Sequence, residues 1–301
     1  MAYISFQPKD YFNTVLYNGT GSSQSITGVG FQPDWLWQKS RSNTQDGRIF
    51  DAVRGGSKLI YPSLTNAEST DAQLITSFDS DGFTMGSSGS NVNDSGTTNV
   101  AWNWRASNTT AVSNTDGSIT STVSANTTSG FSIVKWTGSG ANATIGHGLG
   151  VAPKVVIIKN TSSAENWVVG HSSIGFTNFL QLNTTAVEAT ASNRFNDTAP
   201  TSSVFSVGTE TQVNKGGDNM IAYVFAEKKG FSKMGLYNGN SSTDGTFVFT
   251  GFKPSFVLLK GKGALENWRI FDNKRIGYNP ANYILYPSGS FAEDTTGSNI
   301  N

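Results

Sequence analysis

One stretch of this chain is written three times, and internal repetition constrains the architecture before any motif does. Phe12-Asn13-Thr14-Val15-Leu16-Tyr17-Asn18-Gly19 returns as Phe131-Ser132-Ile133-Val134-Lys135-Trp136-Thr137-Gly138, and again as Phe231-Ser232-Lys233-Met234-Gly235-Leu236-Tyr237-Asn238-Gly239. Farther along, each copy carries an apolar strand behind a proline, at Pro33, Pro153 and Pro254. Arg48-Ile49-Phe50-Asp51 recurs as Arg269-Ile270-Phe271-Asp272, and Glu165-Asn166-Trp167 as Glu266-Asn267-Trp268, with the same displacements that relate the prolines. Residues copied in this way serve folding first, because a unique active site has no reason to be repeated.

Periodicity reads as strand nearly everywhere. Short β-branched or aromatic runs such as Trp35-Leu36-Trp37 and Val100-Ala101-Trp102-Asn103-Trp104 are separated by Gly, Asn, Asp and Ser clusters. No segment has a helical face over ten residues, and residues 186–193 come nearest. The expected fold is all-β: tandem β-sandwich repeats of jelly-roll or concanavalin-like type, two complete and one partial. Residues 1–11 form an N-terminal strand or tether, 12–106 the first repeat and 107–130 a Ser/Thr/Asn-rich linker or irregular excursion. Residues 131–229 form the second repeat and 230–301 the partial third.

The third copy matches the first through Ala292-Glu293 but has no counterpart of Leu74 to Trp104, the final strands. A sheet without those strands exposes edges and core. Three explanations are open: truncation, strands supplied by a neighbouring chain, or closure by residues 2 to 6. The last is suggested by Ala2-Tyr3-Ile4-Ser5-Phe6, which resembles Ala222-Tyr223-Val224-Phe225.

Composition narrows the function. Twenty-one basic residues balance 21 acidic ones, which removes the electrostatic basis for nucleic-acid binding. The chain has no cysteine, so disulfides and thiolate metal sites are excluded and a redox role is not expected. No apolar run approaches the ~20 residues of a membrane-spanning helix. The start lacks the basic and apolar regions of a signal peptide, and export by lysis is the route that fits.

Candidate chemistry is sparse. Asp79-Ser80-Asp81-Gly82 has two carboxylates but no further calcium-loop ligands, and reads as a hairpin turn. His147 precedes a strand and His171 stands where the other copies place Asp51 and Asp272, so both read as structural. No catalytic residue, metal site or cofactor is assigned. The alternating pairs Trp35/Trp37 and Trp102/Trp104 read as core. Trp167 and Trp268, in polar Glu-Asn-Trp contexts, are the candidates for ligand binding by stacking on a sugar.

The first copy also resembles a family of uncharacterised repeat domains in marine and cyanobacterial bacteriophage virion proteins. The resemblance rests on Tyr17-Asn18-Gly19-Thr20-Gly21, Gly30-Phe31-Gln32-Pro33-Asp34-Trp35-Leu36-Trp37-Gln38-Lys39, Phe50-Asp51-Ala52-Val53-Arg54-Gly55, Phe78-Asp79-Ser80-Asp81-Gly82-Phe83 and Val100-Ala101-Trp102. The opening Met1-Ala2-Tyr3-Ile4 is similar to the starts of phage tail-fibre proteins. The resemblance implies a virion structural protein (tail fibre, head fibre or capsid decoration) with a host-surface adhesive role and no catalytic residues. The expected partners are further copies of the chain, other virion proteins and a cell-surface glycan. The alternatives are a carbohydrate-binding module and a tailspike-type glycan hydrolase.

Overall fold

The computed structural model describes residues 5–87, 92–242, 244–276, 279–296 and 300. The chain is mostly β, with several antiparallel sheets and two four-residue helices. In the first third the strands are β1 (Phe12–Asn18), β2 (Gln24–Ile26), β3 (Trp35–Ser40), β4 (Arg48–Asp51), β5 (Lys58–Leu59), β6 (Ser69–Thr70), β7 (Ile75–Asp79), β8 (Gly82–Met85) and β9 (Thr98–Trp104). Then come β10 (Val112–Asn114), β11 (Ser121–Asn126), β12 (Phe131–Thr137), β13 (Ala143–Gly146), β14 (Val155–Asn160), β15 (Val168–His171), β16 (Gly175–Leu180) and β17 (Ala189–Thr190). Helix α1 (Ser192–Phe195), β18 (Val204–Val207), helix α2 (Thr211–Asn214) and β19 (Asn219–Phe225) follow, and β20 (Phe256–Leu259) and β21 (Arg269–Asp272) end the series.

The order β1-β9-β3-β4 in one sheet recurs as β12-β19-β14-β15 in another. Even the register repeats: Phe12 faces Trp104 and Phe131 faces Phe225, while Trp35 faces Trp104 and Val155 faces Phe225. In the last third, β20 pairs with β21 as β3 does with β4, and no strand is described on the other edge of β20.

Alternation along these strands divides the side chains between two faces. Trp35, Trp37, Trp102 and Trp104 join Phe131, Ile133, Ile157, Tyr223, Trp268, Ile270 and Leu285 in one central core. The opposite faces close two separate cores, one holding Leu36, Phe50 and Ala101, the other Val156, Ile158, Ala222 and Val224. Both faces of β3 are therefore buried, its polar residues Gln38, Lys39 and Ser40 as well as Trp35, Leu36 and Trp37.

One local expectation changes. Residues 107–130, expected as a linker or irregular excursion, contain β10 and β11, which extend the second large sheet beyond β12. Val123 on β11 is buried in the second segment's core, and Ile119 and Ala125 pack against the same core. Residues 186–193, the nearest approach to a helical pattern in the sequence, hold β17 and the start of α1. The Asp79–Gly82 turn does close the β7–β8 hairpin. Of the N-terminal strand or tether, residues 1–4 lie outside the described residues, and a 3-10 turn at Pro8–Asp10 leads into β1.

Candidate functional site

The most elaborate polar constellation lies buried at the seams between the three copies. Asp51, at the end of β4, pairs with Arg54 at 2.6 Å in a fully buried setting. Tyr223 on β19 donates its hydroxyl to Asp51 at 2.7 Å. Asp272, at the end of β21, pairs with Arg275 at 2.6 Å, and Trp102 on β9 donates its Nε1–H to Asp272 at 3.0 Å. Each Asp–Arg pair thus receives an aromatic donor from the closing strand of a different copy. Burial disfavours the Arg54 charge, but Asp51, Tyr223 and Glu68 outweigh it and hold the guanidinium protonated. Desolvation raises the Tyr223 hydroxyl well above its ordinary value, so it stays a donor.

A second set involves three equivalent lysines. Lys39 Nζ donates to the Gln45 carbonyl of its own copy and to Ser290 O at 2.9 Å. Lys159 Nζ donates to Glu165 O at 2.7 Å and Thr65 O at 2.9 Å, and Lys260 Nζ to Glu266 O at 2.6 Å and Thr185 O at 3.0 Å. Burial pushes Lys39 and Lys159 down to about 8 and lowers Lys260 as well. Three backbone bonds join the same pairs of copies with donor and acceptor sides exchanged: Glu68 N–H to Thr161 O, Glu188 N–H to Lys262 O and Glu293 N–H to Arg41 O. The first copy holds the second, the second the third, and the third the first. The contacts close into a ring within one chain.

Trp167 and Trp268 belong to this ring. Trp167 is 0 % and Trp268 6 % exposed. Their Nε1–H groups donate to Tyr61 O at 2.8 Å and Gln181 O at 2.9 Å, each in the preceding copy. Stacking on a sugar requires an open ring face, and neither indole has one in this arrangement. Glycine stands at the equivalent position 47 of the first copy, where the Trp37 indole occupies the adjacent space.

Histidines serve turns. His147 Nδ1 accepts the Leu149 N–H at 3.2 Å, and His171 Nδ1 accepts the Ser173 N–H at 3.1 Å. Desolvation lowers both imidazoles. The Asp81 carboxylate accepts the N–H groups of Gly28 and Gly30 at 3.0 and 2.6 Å. Among the described residues no group of three or more His, Cys, Asp or Glu could hold a metal, and no helix is long and apolar enough to cross a membrane.

Sequence reasoning did not single out an open concavity of about 640 Å³ in the last third. Leu265, Glu266, Arg269, Tyr286, Phe291 and Asp294 line it. Tyr286 packs edge-on against Phe291 at 5.7 Å and donates its hydroxyl to Asp294 at 2.8 Å. An aromatic pair beside hydrogen-bonding carboxylates can accept a polar ligand with an apolar face. Its residues are separated by twenty or so positions in sequence, so no local motif marks it.

The model of a domain of unknown function, DUF7483, matches residues 7–301, and the chain belongs to that family. No curated protein and no solved structure matches the chain.

Proposed function

We propose that this member of the DUF7483 family is a bacteriophage virion structural protein, a tail fibre, head fibre or capsid decoration with a host-surface adhesive role. In this reading the copies are tandem sandwich-like repeats, and the Asn/Ser/Thr-rich loops carry the adhesive specificity. The role is structural and not catalytic, the chain assembles with further copies and other virion proteins, and the particle leaves the host by lysis.

One observation carries the reading. Among the described residues, seven of the eleven exposed large hydrophobics fall in the last third: Leu236, Tyr237, Phe247, Val248, Phe249, Leu265 and Phe291. Phe247 and Phe249 are 85 % and 77 % exposed. Scattered apolar side chains are ordinary on a surface, but a concentration of this kind marks a contact face. An assembly protein needs such a face, and the rest of the chain is closed by its own buried seams. Light scattering on chain 1–301 tests the assembly: a discrete trimer or larger closed oligomer, reduced to monomer by F247S/F249S, supports it. A stable monomer at every concentration sinks it. Mass spectrometry of purified particles from a culture carrying the gene tests the virion assignment directly.

A second reading, a carbohydrate-binding module, is favoured by the concavity at Tyr286 and Phe291. Retention on immobilised polysaccharide that Y286A abolishes would support it.

A further inference from the structure

We propose that residues 246–250 are a self-complementary interaction segment whose partner is the same segment of a second copy, paired antiparallel about a two-fold axis at Val248. The proposal rests on the assembly reading above and gives it a contact and a symmetry.

The repeat supplies the first argument. Counted from the repeat's proline, β2 aligns with residues 245–247 and β13 with residues 244–247. Both are paired within their own copies, β2 with β8 and β13 with β18. Among the described residues nothing takes the place of β8 or β18 in the third copy. Residues 245–250 belong to no strand, and among the described residues none of their backbone N–H or C=O groups makes a hydrogen bond. Phe247, Val248 and Phe249 are all exposed. Unpaired backbone carrying exposed apolar side chains is a template for pairing with another chain.

The sequence selects which chain. Thr246-Phe247-Val248-Phe249-Thr250 reads the same in both directions. The equivalent stretches, Ser25-Ile26-Thr27-Gly28-Val29 and Ile145-Gly146-His147-Gly148-Leu149, do not. The palindrome therefore stands in the copy that lacks an internal partner. In two-fold antiparallel pairing each Val248 meets its own mate, each Phe247 a Phe249 and each Thr246 a Thr250. Alternation gathers the four phenylalanines on one face of the ribbon and the valines and threonines on the other. Aromatic and Thr–Thr cross-strand pairs stabilise a ladder, and all three residue types favour strands.

Charge fixes the direction. Asp244 stands before the segment and Lys253 after it, both exposed and neither with an ion-pair partner among the described residues. Antiparallel pairing brings the acidic end of one copy to the basic end of the other, whereas parallel pairing sets like charges side by side. Gly251, at a φ of 82°, turns the chain away and limits the ladder to these residues. An isologous contact joins copies in pairs, so it builds a dimer or a larger closed oligomer with an even number of copies.

The test uses single cysteines in chain 1–301, which has none of its own. Directly opposed residues in an antiparallel ladder fall within disulfide range. On mild oxidation V248C is expected to give a disulfide-linked dimer. T246C and T250C are expected to stay unlinked when oxidised separately and to link when the two chains are mixed. T122C/K135C, across the β11–β12 ladder, checks that oxidation proceeds. V151C, exposed in the second copy, reports random collision. Free V248C thiols while the ladder control links would overturn the proposal, as would V151C linking equally fast. T246C linking to itself would assign parallel stacking and overturn the two-fold axis. As a readout without cross-links, D244K and K253D should each weaken the assembly severalfold in sedimentation, and D244K/K253D should restore it. A double variant no tighter than the single ones counts against the pairing. The assembly reading fails separately: a chain that is monomeric at every concentration sinks both, whereas an oligomer whose V248C thiols stay free keeps assembly and loses this contact.

Discussion

Tyr223 donates its hydroxyl to Asp51 across 2.7 Å, although 172 positions separate them in sequence. Asp51 is bonded at the same time to Arg54 Nε and to the Arg54 backbone N–H. Removing the hydroxyl leaves a buried carboxylate one donor short. Y223F is expected to cost about 1–3 kcal/mol, seen as a lower urea midpoint with an unchanged slope.

The Asp272–Arg275 pair is buried more completely than the peripheral pair between Arg41 and Glu293. Deleting one member of a buried pair strands the other charge, so R275M is expected to cost about 3–5 kcal/mol. R41M leaves Glu293 paired with Arg275 and partly solvated, and should cost less than half as much. Comparing the two by equilibrium denaturation checks the ranking.

Gly47 and Trp37 exchange roles with Trp167 and Ile157, and with Trp268 and Leu258. A Cβ on Gly47 would lie 3.2 Å from Pro62 Cγ and 3.4 Å from the Trp37 Nε1. G47W alone overpacks the seam and should cost about 1–3 kcal/mol. Combined with W37L, which restores the third copy's pairing, the loss should be smaller than the sum of the single effects by about 1–3 kcal/mol. A double-mutant cycle showing strict additivity would mean that the two sites do not share space.

Stability should rise between about pH 8 and pH 10. Burial depresses Lys39 and Lys159 from 10.5 to about 8. Between those values the unfolded chain binds more protons than the folded one, so the slope of stability against pH is positive. Each depression corresponds to on the order of 3 kcal/mol across the full window. Above pH 10 the sign reverses, because Tyr17 and Tyr223 are raised and ionise only in the unfolded chain. Urea titrations at pH 7 to 10 should show the rise, and K39M/K159M should flatten it.

The β content, the threefold repetition and the core role of Trp35, Trp37, Trp102 and Trp104 were legible in the sequence, because alternation and copying are local signals. Trp167 and Trp268 were read as ligand candidates from their polar neighbours. Their burial depends on Tyr61 and Gln181, carbonyls that belong to the preceding copy. The strands within 107–130 were missed because β10 and β11 gain their stability as an edge of a sheet assembled elsewhere. Sequence also aligned His171 with Asp51 and Asp272 as equivalent positions without indicating what those aspartates face.

By itself, then, the sequence determined what is repeated: short strands, the faces they bury and the turns that join them, all set by side-chain period and turn chemistry within a few residues. Tertiary structure alone decided how the copies meet. The lysine–carbonyl, tryptophan–carbonyl and Asp–Arg–aromatic contacts each join residues on different copies. Their strength comes from exclusion of water at seams that exist only once the copies have closed around one core.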